Sequence, residues 1–340
     1  MALDISKAFD RVSHSLLISK LSAFGLSQNL ISWFSSFLSN RRIRVVLDGI
    51  QSQQYVINAG VPQGSVLAST LFLLHLNSIF NITVNPIHSY ADDSTIDKTV
   101  SFKHPPTQPE LALARANASQ SLNSDLSLSK EWGVHNLVDF NASKTQAILI
   151  SNRHNTPPSN ISFDNKNVPF SPSIEILGIT INSKLNWNDH VMSIAKKAAS
   201  KMGVLYRAKH YFTDHQLLII YKSHVRSQME YNSHLFAGCG EGALNSLDSI
   251  QKQFIKLINN PSLTDSLPAL SVRRDVSCLC LFYRYFHGHC SDEISSIMPP
   301  LSNPARRTRT SEAMHGFTVD VPFARTKKFY DSFLPRTCRL

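Results

Sequence analysis

Paired cysteines, long apolar runs and charge are all scarce in this 340-residue chain, and each scarcity removes a class of protein. The five cysteines, Cys239, Cys278, Cys280, Cys290 and Cys338, are odd in number and confined to the C-terminal third, and no Cys-x-x-Cys pair occurs. Neither a disulfide framework nor a zinc ribbon is therefore indicated. Cys278, Cys280, His287, His289 and Cys290 crowd together, but their spacing fits no standard zinc arrangement and reads instead as an apolar helix with buried thiols. The most apolar stretch, Val66 to Phe80, is broken by Ser69, Thr70, His75, Asn77 and Ser78 and is too short to span a bilayer, so no membrane partner is expected. The N-terminus, MALDISKAFD, carries charge where a secretory signal needs an apolar run, so an intracellular location, cytoplasmic and nuclear, is expected.

Charged residues make up only 17% of the chain, too few for a disordered polyelectrolyte, while 42% hydrophobic residues suffice for a core and more than one domain. Lys and Arg number 34 against 24 Asp and Glu, a formal net charge of +10. That balance favours a polyanionic partner, nucleic acid before an anionic membrane surface. A basic globular protein without such a partner is the plain alternative.

Apolar spacing lays out the elements. Leu16, Leu17, Leu21 and Phe24 recur at helical intervals and stop at Gly25; Ser27 then opens a helix with Leu30, Ile31, Phe34 and Leu38 on its buried stripe. Residues 42–47 and 55–57 read as strands, with Asp48-Gly49 as a turn. Val61-Pro62-Gln63-Gly64 is a loop ahead of a mostly buried helix from Ser65 to about Phe80, and His88 to Ile96 reads as a hairpin with Asp92 and Asp93 near its tip. A helix over 111–132 is followed by strands at 145–150 and 174–181, with a polar turn at 164–167 inside the segment 157–172. Beyond His190 the pattern is helical, over 190–208, 214–231, 243–258 and 276–287, while 299–309 is a basic loop. A β-rich first half and a helical second half predict an α+β domain with an α-helical appendage.

Three acids stand out by context: Asp4 after a short apolar start, and the adjacent pair Asp92 and Asp93. Neighbouring carboxylates at a hairpin tip, flanked by apolar and β-branched residues, repel one another and call for a cation. Two divalent ions about 3.5–4 Å apart, bridged by such groups, activate a 3′-hydroxyl and stabilise a leaving pyrophosphate. Magnesium, which prefers oxygen ligands and phosphate substrates, suits that task. Standing alone, an Asp-Asp pair is more often a solvated turn.

The order of segments alters that balance. LDISKAF, GVPQGSVLASTLF, YADDS, NASK and IEILGITI follow one another along the chain. This series resembles the motif order of LINE-type reverse transcriptases, those of retrotransposons without long terminal repeats, jockey-like elements especially. LNWNDHVMSIAKKAASKMGVLYRAK, YKSHVRSQMEYNSHLFAG and VPFARTKKFYDSFLPRTCRL resemble that group's downstream region, so the likeness covers almost the whole chain. It implies an RNA-directed DNA polymerase with two Mg²⁺ ions, working on an RNA template, a DNA primer and deoxynucleoside triphosphates. The implied fold is a ferredoxin-like polymerase palm over 1–185, a helical thumb over 186–240 and a helical C-terminal extension over 241–340, without the fingers region.

Position by position, Asp4 and Asp92 match the family's main metal ligands, and Asp93 the second Asp of its catalytic hairpin. Lys144 matches the lysine proposed to protonate departing pyrophosphate. Phe9, five residues after Asp4, stands where the family places an aromatic gate that would collide with a ribose 2′-hydroxyl. Gln63 and Gly64 match the nucleotide-binding loop, and Leu177 and Gly178 the hairpin that positions the primer end.

Simpler readings compete with several of these: core packing for Phe9, a structural turn for Gln63-Gly64, a solvated charge for Lys144, and ordinary strand packing for Leu177 and Gly178. Arg41, Arg42 and Arg44, and Lys196, Lys197, Lys201, Arg207 and Lys209, either track phosphates or form solvated faces. His190 has no assigned role. Only three residues precede Asp4, too few for the central strand that should fix it, and the family's upstream fingers and endonuclease are not in the chain. Ala68-Ser69 stands where the family commonly has Gly-Pro. The expectation is that the chain on its own extends a primer poorly or not at all. The alternative to an enzyme is then an inactive retrotransposon remnant that at most binds RNA.

Overall fold

The computed structural model describes residues 1–151, 153, 160–302 and 318–340; the expected segments at 157–159 and 303–309 lie outside the described residues. Packing divides the chain into two units, Met1–Lys184 and Leu185–Leu340.

The first unit runs β1 (Ala2–Leu3), α1 (His14–Ala23), α2 (Gln28–Leu38), β2 (Arg42–Ile43), β3 (Val46–Leu47), β4 (Ile50–Gln51), β5 (Tyr55–Val56) and α3 (Val66–Leu76). It continues through β6 (Ile87–Tyr90), β7 (Asp93–Ile96), α4 (Gln108–Asn136), β8 (Ala147–Ile148), β9 (Ser162–Phe163), β10 (Lys166–Asn167), β11 (Phe170–Ser171), β12 (Ser173–Ile176) and β13 (Ile179–Asn182). Its main sheet has the order β1-β7-β6, and antiparallel bridges from Ala2 to Gln146 and from Ile5 to Phe140 close the other edge of β1. The strand is thus flanked on both sides.

Local chemistry explains most element ends. The Ser13 side chain accepts from the Leu16 amide to start α1, and Gly25, at φ +79°, ends its last turn. Thr107 and Glu110 form a reciprocal capping box at the start of α4, with Pro109 in its first turn. That helix stops where Leu137 takes a left-handed conformation at φ +57°. Gly133 allows the reversal, since a Cβ there would lie 2.5 Å from the Val138 carbonyl oxygen. The core gathers Leu3, Leu17, Leu21, Leu71, Phe72, Ile96, Leu126 and Phe163 between these layers.

Two expected strands differ from the structure. Residues 145–150 pair through a Gln146 bridge to Ala2 and a two-residue strand at Ala147–Ile148, because the polar Asn141–Thr145 turn takes up the preceding backbone groups. Residues 174–181 form a hairpin rather than one strand, since Leu177 and Gly178, at φ +51° and +75°, reverse the chain. The Asp48-Gly49 turn closes a ribbon in which β3 pairs β4 and β2 pairs β5.

The second unit is helical: α5 (Asn188–Ala208), α6 (Asp214–Ile220), α7 (Ser227–Glu230), α8 (Glu241–Ile258), α9 (Pro261–Thr264), α10 (Leu270–Phe286), α11 (Asp292–Ile297), α12 (Lys327–Tyr330) and α13 (Phe333–Thr337). A π-helical turn, Tyr221–Arg226, joins α6 to α7, so the expected helix over 214–231 is not uniformly α-helical. Within it the Tyr221 ring stacks on Phe254 at 3.9 Å and its hydroxyl donates to Gln251 at 3.2 Å. Residues on either side of position 240 share one core, with Ala198 and Met202 of α5 alongside Leu247 and Phe254 of α8. Cys278 is buried, whereas Cys280 is exposed on the outer side of α10, contrary to a uniformly buried thiol helix. Among the described residues, no helix is long and apolar enough to cross a membrane.

Candidate active site

Strand register brings the acids together. The last β1–β7 pair is Leu3 opposite Ser94, so the next step along the ladder sets Asp4 opposite Asp93. Side chains alternate across a strand: Leu3, Ser94 and Ile96 point into the core, while Asp4 and Asp93 lie on the other face. Tyr90 pairs with Asp93, leaving Ala91 and Asp92 as a two-residue turn in which Ala91 has φ +54°.

Asp4 is anchored rather than frayed, against the expectation drawn from its place in the sequence. Met1 donates its amino group to the Ile96 carbonyl at 2.7 Å, Ala2 donates to Gln146 at 2.9 Å, and the Asn141 amide donates to the Asp4 carbonyl at 2.8 Å. Neighbours on both edges supply the order that chain length before Asp4 does not. Asn141 also accepts from the Ser143 amide through its side chain and from the Lys144 amide through its carbonyl. The NASK segment is therefore a turn built on the residue that holds Asp4. It carries Lys144 to within 3.7 Å of Asp4, Nζ to Oδ2, with both side chains substantially exposed.

The electrostatics are those of crowded negative charge. The Asp93 carboxyl is held above the usual carboxylate range, first by burial, then by the Asp92 and Asp4 charges, while a hydrogen bond from the Leu177 backbone works the other way. Leu177, at the β12–β13 turn, thus touches the catalytic-hairpin candidate directly. Asp4 Oδ2 is buried and accepts no hydrogen bond. A cleft of about 540 Å³ opens beside it, bordered by Asp4, Asp93, Ser143, Lys144, Gln146 and Glu175. Asp4 Oδ2 has Lys144 as a long ion-pair partner and no hydrogen bond, and it shares its cleft with the Asp93 and Glu175 carboxylates, a set of oxygens that suits a hard divalent cation. Among the described residues, no three acids, histidines or cysteines are already gathered as a metal cage, so the carboxylates are neighbours that have not closed on one point.

Phe9, Gln63 and Gly64 lie in a second grouping. The Phe9 carbonyl accepts from the Val61 amide at 2.8 Å, the Val12 carbonyl accepts from Gly60 at 2.8 Å, and His14 Nε2 is 2.8 Å from the Gly60 carbonyl oxygen. Gly60 has φ +88° and passes so close that a Cβ would meet the Asp10 carbonyl oxygen at 2.8 Å. The loop carrying Gln63 and Gly64 is thereby laced to the segment after Asp4. Phe9 is half-buried, its ring stacked on Phe72 with centroids 4.5 Å apart.

Two positioning side chains went unread in the sequence. Asp125, fully buried in α4, accepts from the Val84 amide at 2.8 Å, the Asn85 amide at 3.1 Å and Asn85 Nδ2 at 2.6 Å, fixing the chain just ahead of β6. A polar residue inside a helical stripe was the available signal. Phe72, the second, looked like any core aromatic. Among the basic candidates, Arg42, Arg44, Lys196, Lys197 and Arg207 are exposed. Arg41 lies over the Phe37 ring, Lys201 donates to the His224 carbonyl at 2.9 Å and Lys209 to the Leu257 carbonyl at 2.7 Å, which gives these three structural partners. His190 is buried against Phe236.

Comparison with known proteins fits this geometry. Residues 1–181, more than half of the chain, match the family model for reverse transcriptase (RNA-dependent DNA polymerase). The chain belongs to the reverse transcriptase family. Relatives narrow the branch: the RNA-directed DNA polymerase from mobile element jockey of Drosophila funebris is 26% identical over 288 residues, 81% of this chain and 29% of the relative. The jockey protein of Drosophila melanogaster is 28% identical over 268 residues, 76% of this chain and 28% of the relative. The probable RNA-directed DNA polymerase from transposon X-element of the same species is 24% identical over 269 residues, 75% of this chain and 28% of the relative. This is a reverse transcriptase of the LINE type, and it spans under a third of the length of those curated relatives. The family match in this reverse transcriptase ends at residue 181, inside β13 and close to the limit of the first unit.

Proposed function

We propose that this reverse transcriptase copies an RNA template into DNA by nucleotidyl transfer to a primer 3′-hydroxyl, with the first unit as its palm. The arrangement of the 140–146 segment, β1, β7 and β6, with α3 and α4 between strands, supports a ferredoxin-like βαββαβ palm. The helices of the second unit then serve as thumb and C-terminal extension.

A single observation carries the proposal: the β1–β7 register, continued one step past the Leu3–Ser94 pair, brings Asp4 beside Asp93, and both carboxylates line one cleft. Asp4, Asp92 and Asp93 would hold a pair of Mg²⁺ ions, which when bound lower the pKa of a hydroxyl and neutralise triphosphate charge. The protein's own groups do the rest. Gln63 and the bare backbone at Gly64 bind the base-paired nucleotide. Phe9 closes the space where a 2′-hydroxyl would sit, selecting deoxynucleoside triphosphates. The Leu177–Gly178 turn orients the primer end while its backbone steadies Asp93. As the primer 3′-hydroxyl loses its proton to solvent and its oxygen bonds to the α-phosphorus, the bond to pyrophosphate breaks and Lys144 gives a proton to the leaving oxygen. Exposed Arg42, Arg44, Lys196, Lys197 and Arg207 neutralise phosphates of the RNA template and DNA primer.

Primer extension on an RNA template with Mg²⁺ and deoxynucleotides tests this directly. Incorporation by the wild-type chain that drops by at least about 10³-fold in Asp93→Asn is expected. Incorporation by the chain alone is expected to be weak, and a level equal in both proteins contradicts the proposal.

A further inference from the structure

We propose that Phe72 is a positioning residue for sugar selection, acting from inside the core by holding the Phe9 ring in place. The inference rests on the reading of Phe9 as the gate beneath the incoming sugar.

A steric gate discriminates only if it cannot recoil. The hydroxyl it must refuse is small, so a ring that slides or rotates by a fraction of its own thickness makes room. The backbone of Phe9 is tied down by the Val61 amide, but a backbone bond leaves both side-chain torsions free. Phe9 is only half-buried, so solvent cannot restrain its outer side. What it has on the inner side is Phe72, whose ring lies 4.5 Å away, centroid to centroid, at an interplanar angle of 27°. That is a broad stacked contact rather than an edge touching a face.

Phe72 is well placed to act as a stop. It is 1% exposed, in a core that includes Leu71, Leu76 and Ala68 of the same helix, so core packing rather than solvent lies behind it. It also belongs to α3, whose first turn is capped by Ser65 immediately after Gln63 and Gly64. One rigid helix therefore supports the floor of the gate at Phe72 and launches the loop proposed to hold the nucleotide. Movement of α3 would shift gate and loop together, whereas a change of shape at position 72 shifts only the gate. Leucine or methionine at this position fills much of the volume but offers no plane, leaving Phe9 able to tilt.

The test is a double-mutant cycle in the full chain, reading the ratio of ribonucleotide to deoxynucleotide incorporation (kcat/KM for each) for wild type, Phe9→Val, Phe72→Leu and the double variant. Equilibrium binding of ATP against dATP to the template–primer complex reads the ground-state part of that discrimination without chemistry. Phe72→Leu is expected to raise the ribonucleotide ratio by about tenfold and Phe9→Val by more. The double variant is expected to match Phe9→Val alone, because without a gate its support has nothing to hold. Phe72→Met, tested alongside with a thermal melt of every variant, keeps the result interpretable where leucine disturbs the fold. A change in stability alone, with the ratio unmoved in both leucine and methionine variants while Phe9→Val raises it, overturns the inference and leaves the gate intact. Additive effects in the double variant also overturn it, by showing a route that bypasses Phe9. An unmoved ratio in Phe9→Val removes the gate reading, and the role of Phe72 falls with it.

Discussion

Replacing Asp125 with alanine should loosen the candidate catalytic hairpin from a distance. Its carboxylate is fully buried and satisfies three donors: the Val84 and Asn85 amides and the Asn85 side chain. These residues immediately precede β6, the first strand of the hairpin that presents Asp92 and Asp93. Alanine leaves all three donors facing a space with no acceptor. Each orphaned buried donor costs about 1–3 kcal/mol. Partial repair by water and the release of Asn85 Nδ2 toward Ser121, already its partner at 2.8 Å, bring the expected loss to about 3–4 kcal/mol. A single domain is stable by only about 5–15 kcal/mol, so this is a large fraction. With a urea slope of about 2–3 kcal/mol per molar, the unfolding midpoint of the first unit should fall by about 1–2 M. Asp125→Asn keeps one acceptor and turns an amide against Asn85, so it should fall between wild type and alanine. Amide hydrogen exchange at Val84 and Asn85 should accelerate in both variants. A midpoint for Asp125→Ala within about 0.3 M of wild type, with protection at Val84 unchanged, would refute the reasoning.

Other perturbations follow from the same structure. His75 is buried beneath Lys20, and burial, reinforced by that cation, pushes its ring down to about 4 from an ordinary 6.5. The unfolded chain therefore binds the extra proton between those values, so stability rises with pH and is lost as pH falls from 6.5 toward 4. The loss amounts to about 3 kcal/mol, and His75→Leu should flatten that limb in pH-dependent denaturation. Gly133→Ala would set a methyl 2.5 Å from the Val138 carbonyl oxygen, and a loss of about 2 kcal/mol is expected in urea melts. In the second unit, Glu230 bridges Arg226 and Arg273, all three well covered, so Glu230→Ala should cost about 2–3 kcal/mol by thermal melting.

What the sequence disclosed was local chemistry. Turn residues at Asp48-Gly49 and Asp164-Asn165 and the YADDS hairpin announce themselves over a few neighbouring positions. Long-range pairing stayed hidden. Nothing near Asp4 reveals that Gln146 and Thr95 flank its strand, so a residue that looked frayed is held from both edges. By apolar pattern Leu177 falls within a strand and by resemblance within a hairpin, but neither reveals that its backbone meets Asp93. Phe72 and Asp125 look like core filler and a misplaced polar residue, because their partners lie 63 and 40 positions away. Lysines at 201 and 209 look like phosphate contacts by charge alone, yet both are spent on nearby carbonyls.

Everything proposed about catalysis depends on whether Asp4 and the Asp92–Asp93 turn take up divalent cations in concert with a nucleotide. Calorimetric titration of the chain with Mg²⁺, with and without a deoxynucleoside triphosphate, measures that coupling most directly. Tighter Mg²⁺ binding in the presence of nucleotide, weakened at least about tenfold by Asp4→Asn and by Asp93→Asn, is the predicted result. Heats indistinguishable between wild type and both variants would contradict the account.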